Sequence, residues 1–345
     1  MEKKSDKFKI IIPIIILNWN GEKDTIACLE SIKNSDNEVF LPIVVDNGSG
    51  QESIDNLKEA CSKLYNEVIY LNEDQIDDYE ELIKETIDQN SIEDVLIYIQ
   101  NFENHGFAKG NNIGIKIANL IDSEWVMLLN NDTEIVHNSL SILNDFINKN
   151  KDFVAVTPQI RLYNPKNKIW NCGGKLTYFG SRKYFYSDKN IDKVPQIGHS
   201  LITFVTGCAL LFQYKKTGVL TEDFFFGEED YEFSLRMQEK SFKMACVYES
   251  IIYHKVGSTI KKNSNAINSI YLYYINRFIN SRNYYSKIRW KTTKLLAFVY
   301  LPVLLIMNKI DPFKSISLGR KINTFVKKND KVDVVEFKRV LDNKL

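Results

Sequence analysis

A run of five apolar residues, Trp125 to Leu129, is followed at once by four polar residues, Asn130 to Thr133. Five consecutive apolar residues predict a central β-strand that is buried on both faces. In open α/β sheets ligands bind beyond the carboxyl ends of the strands, which is where these polar residues would lie. A carboxylate at that place, Asp132, suits a divalent cation that carries phosphate oxygens. The same residues also fit a simple Asx-type turn, so this segment alone leaves both interpretations open.

Two earlier segments show the same change from a buried strand to small polar residues. The first strand is predicted over Lys9 to Leu17, where β-branched isoleucines favour extended backbone, and residues 18–21 follow it. The second is predicted over Leu41 to Val45, and residues 46–49 follow it. A carboxylate after the second strand of a βαβ unit, here Asp46, commonly binds the ribose or base of a nucleotide. An Asp-Asn-Gly turn without a ligand is the alternative.

A further strand, Asp94 to Gln100, leads into a segment rich in glycine and asparagine, residues 104–112, that begins a predicted helix. Free backbone N–H groups at such a helix start can bind an anion. The segment has neither the Walker spacing nor the dinucleotide-binding spacing. Its asparagines are therefore candidates for a base or ribose, and Lys109 is a candidate for a phosphate. The acidic stretch 72–93 is predicted to be a solvated helical insertion rather than a metal site, because its acids have no fixed spacing.

The second half of the chain contains further candidate site residues. The predicted strand Thr203 to Phe212 has a small-residue break at Gly207, which lets a ligand or another backbone come close. Trp170 lies in a predicted strand-and-loop region of this half. The predicted strand Ala245 to Tyr253 ends at His254, and a lone histidine is more often structural than a ligand.

An aromatic block precedes a cluster of acids in the same half of the chain. Phe224 to Phe226 is followed by Glu228, Glu229, Asp230 and Glu232. Burial raises the pKa of a carboxyl group, which suits a general base that deprotonates a hydroxyl group. In the predicted helix Glu232 and Arg236 are spaced to form a pair. An acidic helix start that is stabilised by the helix dipole is the alternative.

Four segments occur in an order that resembles family 2 glycosyltransferases, in particular their rhamnosyltransferase-like branch. They are Asn18-Trp19-Asn20, Val45-Asp46-Asn47-Gly48-Ser49, residues 104–112 and Leu128-Leu129-Asn130-Asn131-Asp132. The resemblance covers about residues 10–290. It implies an α/β chain with the GT-A fold, a Rossmann-like mixed sheet flanked by helices. It also implies a nucleoside-diphosphate sugar donor and an inverting mechanism.

The resemblance further implies roles for individual residues. Asp230 is at the position of the catalytic base, with Glu229 beside it. His254 lies 24 residues beyond Asp230, where the family completes a site for Mn²⁺ or Mg²⁺, here with Asp132. The implied donor-binding residues are Asn18, Asn20, Asp46, Asn47, Ser49, Gly106, Lys109, Asn112 and Asn131. The implied acceptor-side residues are Trp170, Gly207, Glu232 and Arg236.

One departure from the family pattern keeps other functions open. Many members have Asp-x-Asp where this chain has Asn130-Asn131-Asp132, which leaves a single carboxylate. A catalytically inactive nucleotide-sugar-binding subunit of a glycan assembly complex is therefore one alternative. A nucleotidyltransferase is the other, although it would more usually carry a basic glycine-rich loop near the amino terminus. Residues 18–21 contain no lysine or arginine.

Charge is distributed unevenly along the chain. The net charge is +1, but residues 261–345 contain 18 Lys/Arg and 5 Asp/Glu, which is +13 there and −12 in residues 1–260. This region suggests an anionic membrane rather than nucleic acid, because no recognition motif accompanies the charge. Leu295 to Met307 is a run of 13 apolar residues, shorter than the about 20 that span a bilayer. It fits an interfacial segment on anionic lipid, or a helix packed on the catalytic domain.

These patterns give an expected organisation. Residues 1–260 would form the GT-A domain, with the donor half to about residue 135 and the acceptor half after it. Residues 261–345 would form a basic helical C-terminal extension at the membrane periphery, beginning with an amphipathic helix over Tyr271 to Tyr285. Five scattered cysteines argue against a zinc site and a disulfide framework. The polar Met1 to Lys9 segment predicts no signal peptide, hence a cytoplasmic protein on the inner face of the cell membrane. The expected partners are the donor and a glycan or lipid-linked acceptor.

Overall fold

The computed structural model describes residues 11–256 and 266–342 of the chain. Its strands are β1 (Ile12–Asn18), β2 (Phe40–Asp46), β3 (Glu67–Asn72), β4 (Val95–Gln100), β5 (Val126–Asn130), β6 (Thr133–Ile135), β7 (Phe153–Leu162), β8 (Ile169–Asn171), β9 (Gly174–Leu176), β10 (Arg182–Tyr184), β11 (His199–Ile202), β12 (Ala209–Phe212) and β13 (Lys243–His254). Its helices are α1 (Glu22–Lys33), α2 (Gln51–Leu64), α3 (Glu80–Gln89), α4 (Gly106–Leu120), α5 (Ser139–Lys149), α6 (Tyr214–Thr217), α7 (Glu229–Glu239), α8 (Ala266–Tyr284), α9 (Lys287–Met307), α10 (Lys314–Lys328) and α11 (Val334–Leu341).

A mixed sheet of 11 strands forms the centre of the described structure. Its order is β11-β13-β7-β12-β5-β1-β2-β4-β3, with β6 and β8 paired to β13 and β7. The strands β5, β1, β2, β4 and β3 are parallel, whereas β12 joins the two halves by antiparallel pairing with β5 and β7. The expected fold class, a mixed α/β sheet flanked by helices with a helical C-terminal region, is confirmed.

The apolar runs of the central strands are long because both faces of the sheet are covered. Successive residues of a strand point to opposite faces, so Ile15 packs in one apolar layer while Ile14 and Ile16 pack in the other. The layer with Ile15 includes α4, and the opposite layer includes α1, α2 and α5. The registers bring Asn18 beside Asp46, and Asp46 beside Gln100, at one edge of the sheet. Polar residues at the carboxyl ends of neighbouring strands are thereby collected into one place.

The predicted strand Thr203 to Phe212 is wrong over its first half. Only Ala209–Phe212 is a strand, and the preceding residues form a loop that pairs with Gly174 through the backbone N–H groups of Thr203 and Phe204. Phe204 and Val205 are nevertheless fully buried. A loop that is buried in the core has the same apolar pattern as a strand, which is why the pattern misled the prediction.

The acidic stretch 72–93 contains α3, which agrees with the helical segment predicted there. The helix connects β3 to its parallel neighbour β4, so it is a crossover connection of the sheet. Its residues Ile83 and Ile87 are buried in the core, whereas Leu82 is exposed. The acids lie on the outer side, and the helix therefore belongs to the sheet's own framework.

The C-terminal helices α8 to α11 pack around an apolar core of their own. Phe278, Ile279, Leu305, Ile322 and Val340 are buried in this core. The predicted amphipathic helix corresponds to α8, which also contacts α7. The 13-residue apolar run lies inside α9, which has 21 residues. Within the described residues α9 is the one helix that is long and apolar enough to cross a membrane by length and composition.

A close backbone contact joins the first half of the sheet to the segment before α7. The N–H group of Phe107 donates a hydrogen bond of 3.1 Å to the carbonyl oxygen of Phe225. Gly106 has φ of +81°, and a Cβ atom on it would lie 2.0 Å from that same carbonyl oxygen. A side chain at residue 106 is therefore excluded both by backbone conformation and by space.

Replacing Gly106 with alanine is expected to destabilise the protein more than the same change at Gly198. Gly198 has φ of +84°, but a Cβ atom there would meet no atom within 4 Å. Both variants carry the cost of a left-handed backbone, and only Gly106→Ala adds a clash, at about 1–3 kcal/mol. Urea unfolding of the two variants measures the difference. Equal free energies of unfolding would contradict the close contact.

Candidate active site

The loops after β1 and β2 are locked together by a buried carboxylate. Asp46 is fully buried, and its Oδ2 accepts a hydrogen bond of 2.7 Å from Asn18 Nδ2. Its Oδ1 accepts one of 2.9 Å from the backbone N–H of Ser49. The hydroxyl of Ser49 in turn accepts from the backbone N–H of Asn20 at 2.8 Å. Asp46 and Asn18 thus shape this edge, while Asn20 lies at its exposed surface, next to the solvent-exposed ring of Trp19.

The loop before α4 is held to the loop after β2 by Asn47. The buried side chain of Asn47 donates to the carbonyl of Gly106 at 3.1 Å and accepts from the backbone N–H of His105 at 3.1 Å. His105 Nε2 lies 2.6 Å from Glu73 Oε2. Asn47 therefore holds the loop after β2 against the start of α4. The contact between His105 and Glu73 connects the start of α4 to the end of β3.

The residues Lys109 and Asn112 lie on a different side of α4. They line an open pocket of about 520 Å³ together with Glu73, Asp74, Phe102, Ile113, Lys116 and Glu222. The side-chain amide of Asn112 already has partners for both of its N–H groups, because it donates to the carbonyl of Leu220 and to Glu222 Oε1, both at 2.9 Å. Contact of Lys109 and Asn112 with a donor phosphate or ribose stays a prediction, and their position favours a structural role for Asn112.

The segment after β5 closes the edge of the sheet. Asn131 Nδ2 donates a hydrogen bond of 3.0 Å to Thr25 Oγ1, and Thr25 donates one of 2.8 Å to Asn18 Oδ1. The ends of β1 and β5 are thus connected through the first turn of α1. Thr25 was not among the predicted residues, since a threonine inside a helix gives no signal by itself.

The next residue, Asp132, meets His254 from the end of β13. Asp132 Oδ1 lies 3.1 Å from His254 Nε2, and both side chains are buried. The ring of Trp170 packs edge-on against His254 with 4.5 Å between centroids. Burial by itself lowers the pKa of His254, but Cys208 and Asp132 beside the ring outweigh burial and raise it to about 10. The antiparallel pairing of β6 with β13 brings together two residues that are 122 positions apart.

The Asp132–His254 pair has the chemistry and spacing of two ligands of one cation. Two ligands at about 2.1 Å from an ion and at a right angle are about 3 Å apart. A bound cation would take the place of the proton between the two side chains. Among the described residues no group of three or more His, Cys, Asp or Glu side chains could hold a metal ion. The remaining ligands would therefore come from a bound phosphate group and water.

A second cluster surrounds the start of α7 and is built on a buried ion pair. Glu228 has φ of +77° and an almost fully buried side chain. Its carboxylate lies 2.8 Å from Arg182 Nη2 of β10 and 2.6 Å from Arg277 Nε of α8. Asn280 of α8 donates to its carbonyl oxygen at 3.0 Å. Three separate parts of the chain are joined at this one carboxylate.

Asp230 lies next to this ion pair and remains reachable from solvent. Its Oδ1 is 3.6 Å from Arg182 Nη1, and its side chain is 23% exposed. Burial raises the pKa of Asp230 to about 6, with Arg182 opposing and Glu228 adding to the effect. Burial also raises the pKa of Glu229 to about 8, although Glu229 Oε1 accepts a hydrogen bond from the N–H of Gly227. At neutral pH Asp230 is thus the carboxylate that can accept a proton.

The predicted pairing of Glu232 with Arg236 is confirmed. Arg236 Nε is 3.0 Å from Glu232 Oε1, and Arg236 Nη2 donates to the carbonyl of Val219 at 2.8 Å. Tyr284 of α8 also donates to Glu232. The pair therefore ties α7 to the loop before it and to α8. Direct contact of these two residues with an acceptor stays a prediction.

The loop before β12 connects the two clusters. The N–H of Val205 donates to Ser234 Oγ at 3.2 Å, and Ser234 Oγ donates to the carbonyl of Asp230 at 2.7 Å. At the other end of this loop, the backbone carbonyl oxygen of Cys208 accepts a hydrogen bond of 2.8 Å from the N–H of Asn130. Gly207 lies between them, and a Cβ atom on it would be 3.0 Å from the ring of Phe107. The small residue keeps this connection close to α4.

The sequence indicated Glu228 only as one of four clustered acids, and it did not predict the two partners of this carboxylate, Arg182 and Arg277. Their partners are 46 and 49 positions apart along the chain, so no local spacing reveals them. The sequence shows only that one of these arginines lies in a short predicted strand-and-loop region and the other in a tyrosine-rich helix. Arg277 is also stacked on Tyr231, with its guanidinium carbon 3.4 Å from the ring centroid.

Arg277→Met is expected to lower the free energy of unfolding by about 3–5 kcal/mol, because it leaves a buried carboxylate with one cation fewer. Adding Glu228→Gln should recover part of this loss, since the unpaired charge is then removed. Lys149→Met is the matched control, because Lys149 pairs with Asp145 on an exposed face and should change stability little. Urea unfolding measures all three. An Arg277→Met protein as stable as the control would show that the ion pair does not hold this cluster.

The chain is similar to known proteins in part of its sequence and in its overall fold. The model of glycosyl transferase family 2 matches residues 51–215. Comparison with curated proteins gives no match. Among solved structures, GalNAc-T7 with UDP, GalNAc and Mn²⁺ superposes with a TM-score of 0.55 at 13% identity, covering 98% of this chain and 57% of that one.

A second solved structure gives a similar result. The mannosyltransferase PcManGT from Pyrobaculum calidifontis, in complex with GDP-Man and Mn²⁺, has a TM-score of 0.50 and 11% identity. The match covers 96% of this chain and 79% of that one. At these identities the likeness concerns the fold, and this chain spans little more than half the length of the GalNAc-T7 chain. The family model thus matches 165 of the 345 residues, and the superpositions show that this chain shares the overall fold of these two proteins.

Proposed function

We propose that the protein is an inverting glycosyltransferase that moves a sugar from a nucleoside diphosphate to a hydroxyl group of a glycan or lipid-linked acceptor. The observation that carries this proposal is the recessed carboxylate of Asp230, which has a raised pKa and lies beside Arg182. The loop from Val205 to Cys208 links it to the edge of the sheet with the Asp132–His254 pair. A base and a diphosphate site at the two ends of one short loop suit direct transfer.

In the proposed reaction Asp230 accepts the proton of the acceptor hydroxyl. The acceptor oxygen forms a bond to the anomeric carbon as the bond from that carbon to the diphosphate oxygen breaks, which inverts the configuration. Arg182 keeps Asp230 ionised and fixes its orientation. Glu229, with its pKa raised to about 8, is mostly protonated at neutral pH and is the weaker candidate for the base.

Asp132 and His254 would hold a divalent cation, Mn²⁺ or Mg²⁺. When bound, such an ion supplies positive charge at the leaving diphosphate. Support comes from the 3.1 Å spacing of the two side chains and from the Mn²⁺ in the structures of GalNAc-T7 and PcManGT. A single acidic residue in the Asn130-Asn131-Asp132 segment is then sufficient, because His254 is the second ligand.

The nucleoside of the donor would lie at the loops after β1 and β2. Asn20 and the surface around Ser49 are open there, whereas Asp46 and Asn18 are buried beneath them. The two solved structures contain UDP and GDP-Man, which supports uridine diphosphate or guanosine diphosphate as the nucleotide part of the donor. Transfer of rhamnose in surface polysaccharide synthesis, on the cytoplasmic face of the cell membrane, is the finer proposal and is supported by the sequence resemblance.

Replacing Asp230 with asparagine is expected to lower turnover by about 10²–10⁴-fold while leaving donor binding intact, because a general base contributes that much. A thermal-shift screen of UDP-, GDP- and dTDP-sugars with Mn²⁺ identifies the donor, since a bound ligand raises stability by mass action. Acceptor-dependent release of nucleoside diphosphate then measures turnover. Glu229→Gln is the matched control and should retain more activity. Activity of Asp230→Asn within about threefold of wild type would reassign the base.

The pH dependence gives a second readout of the same base. The pKa of Asp230 is raised to about 6, and the proposed base acts only when ionised. Turnover should therefore rise as the pH increases from about 5 to 7, with a tenfold change per pH unit below about 6. A rate that is independent of pH over this range would argue against Asp230.

Substituting Asp132 or His254 with alanine is expected to weaken the Mn²⁺-dependent binding of UDP by tenfold or more, as loss of one of two protein ligands would do. Isothermal calorimetry with UDP, with and without Mn²⁺, measures this without reference to turnover. His137→Ala is the control, because the side chain of His137 is exposed and lies 2.8 Å from the carbonyl oxygen of Asn34, away from the Asp132–His254 pair. Unchanged affinity in both variants would place the cation elsewhere.

A further inference from the structure

We propose that the outer face of α9 is a docking surface for an anionic lipid bilayer, and that the helix lies in the plane of the headgroups. This inference depends on the surface of the C-terminal helices and not on the proposed reaction. The outer face is defined by Leu295, Leu296, Val299, Val303, Ile306 and Met307.

The outer face is apolar and exposed over most of the helix. Leu295 is 62% exposed, Val299 68%, Ile306 59% and Met307 68%. Leu295, Val299, Val303 and Ile306 follow one another at spacings of four, four and three residues, which places them along one side of the helix, and Met307 lies at its margin. No charged residue interrupts the chain from Leu295 to Asn308. A continuous apolar stripe of this length on a water-exposed surface marks an interaction site.

The opposite face of α9 is fixed to the protein. Leu301 and Leu305 are buried in the core that α9 shares with α8 and α10. Lys294 Nζ donates to Asn323 Oδ1 of α10 at 3.0 Å, and Trp290 Nε1 donates to the carbonyl of Phe278 in α8 at 2.9 Å. Lipid could surround α9 only if this core opened. The helix can therefore offer one side to a membrane and not its whole circumference.

The length of the uncharged stretch also argues against a spanning helix. Residues 295–308 are 14 residues, which gives about 21 Å at 1.5 Å per residue. The hydrocarbon core of a bilayer is about 30 Å thick. The first two turns of α9 contain four basic residues, Lys287, Arg289, Lys291 and Lys294. An in-plane position instead leaves the exposed Lys287 and Lys291 among the headgroups, where they are favoured, whereas Lys294 is buried against α10.

Neighbouring exposed aromatic and aliphatic residues extend the surface at both ends of the helix. At its start Ile288 is 80% exposed, and Arg289 Nε donates to the carbonyl of Tyr178, whose ring is 66% exposed. Beyond its end Phe313 is 82% exposed and Ile316 62%. The turn between β9 and β10 that contains Tyr178 leads directly to Arg182, so the docking surface continues towards the Asp230 cluster.

The positive charge around this surface favours an anionic lipid bilayer, rather than a second copy of the chain, as the occupant of the outer face. Residues 286–328 contain ten Lys or Arg and a single acidic residue, Asp311. Lys287, Lys291, Lys309 and Lys314 are exposed and flank the outer face at its two ends. In a symmetric dimer the same face meets itself, and like charges would lie opposite each other. An anionic bilayer supplies both the apolar interior and the opposite charge.

Vesicle binding of the full chain tests the proposal. Co-sedimentation with vesicles of phosphatidylcholine and phosphatidylglycerol should show binding that falls as salt rises from about 0.05 M to about 1 M, because salt screens the attraction. Vesicles of phosphatidylcholine alone should bind at least tenfold more weakly. Val299→Asp/Val303→Asp should lower binding by at least tenfold. Ile197→Asp/Leu201→Asp is the matched control, since both residues are exposed aliphatic side chains outside the C-terminal helices.

Depth measurements distinguish an in-plane helix from a spanning one. The five native cysteines are all buried, so a spin label can be directed to a single introduced cysteine at Leu295, Val303 or Ile306. An in-plane helix should give similar depths for all three labels. A spanning helix should give depths that differ by about 16 Å between residues 295 and 306.

Three outcomes would overturn the proposal. The first is absence of binding to anionic vesicles at low salt by a folded full-length chain. The second is equal loss of binding in the outer-face variant and its control. The third is a dimer in light scattering that Val299→Asp/Val303→Asp converts to a monomer without any vesicle binding by the wild type. Because UDP binding is measured separately, failure here leaves the proposed reaction untouched.

Discussion

The buried carboxylate of Glu228 is the interaction on which the arrangement of the second half depends. A charge in this environment is stable only with close partners, and it has Arg182 from the β9–β10 hairpin and Arg277 from α8. These contacts fix the turn before α7 and so the direction in which Asp230 points. A helix from the C-terminal region is thereby part of the framework of the segment that contains Asp230, although the sequence suggested a separate extension.

The same cluster explains why neighbouring acids have different proton affinities. Burial raises the pKa of Glu229 to about 8, although backbone N–H groups that donate to its carboxylate oppose this rise. Asp230 lies near Arg182, which limits the rise of its pKa to about 6. Two adjacent carboxyl groups therefore take different protonation states at neutral pH. Separation of this kind is what an acid–base site requires, and it arises from contacts across the fold.

The C-terminal helices have two surfaces with different roles. α8 is buried and connects the helical bundle to α7, whereas α9 covers the bundle with one side and leaves its other side apolar and exposed. The sequence left open whether the apolar run is an interfacial segment or a packed helix. The structure combines these alternatives, because a helix has room for a packed side and an exposed side around the same axis.

The sequence by itself determined the central strands and the polar ends of the first half, because a strand buried on both faces has to be apolar throughout and its exit has to be polar. It also placed Asp132, His254 and Asp230 as candidates, through a resemblance to a known family. The tertiary structure decided that Asp132 meets His254, that residues 203–208 leave the sheet, and that Arg182 and Arg277 enclose Glu228. Such contacts join residues far apart in the chain, and local hydrophobic periodicity contains no information about which distant side chains will meet.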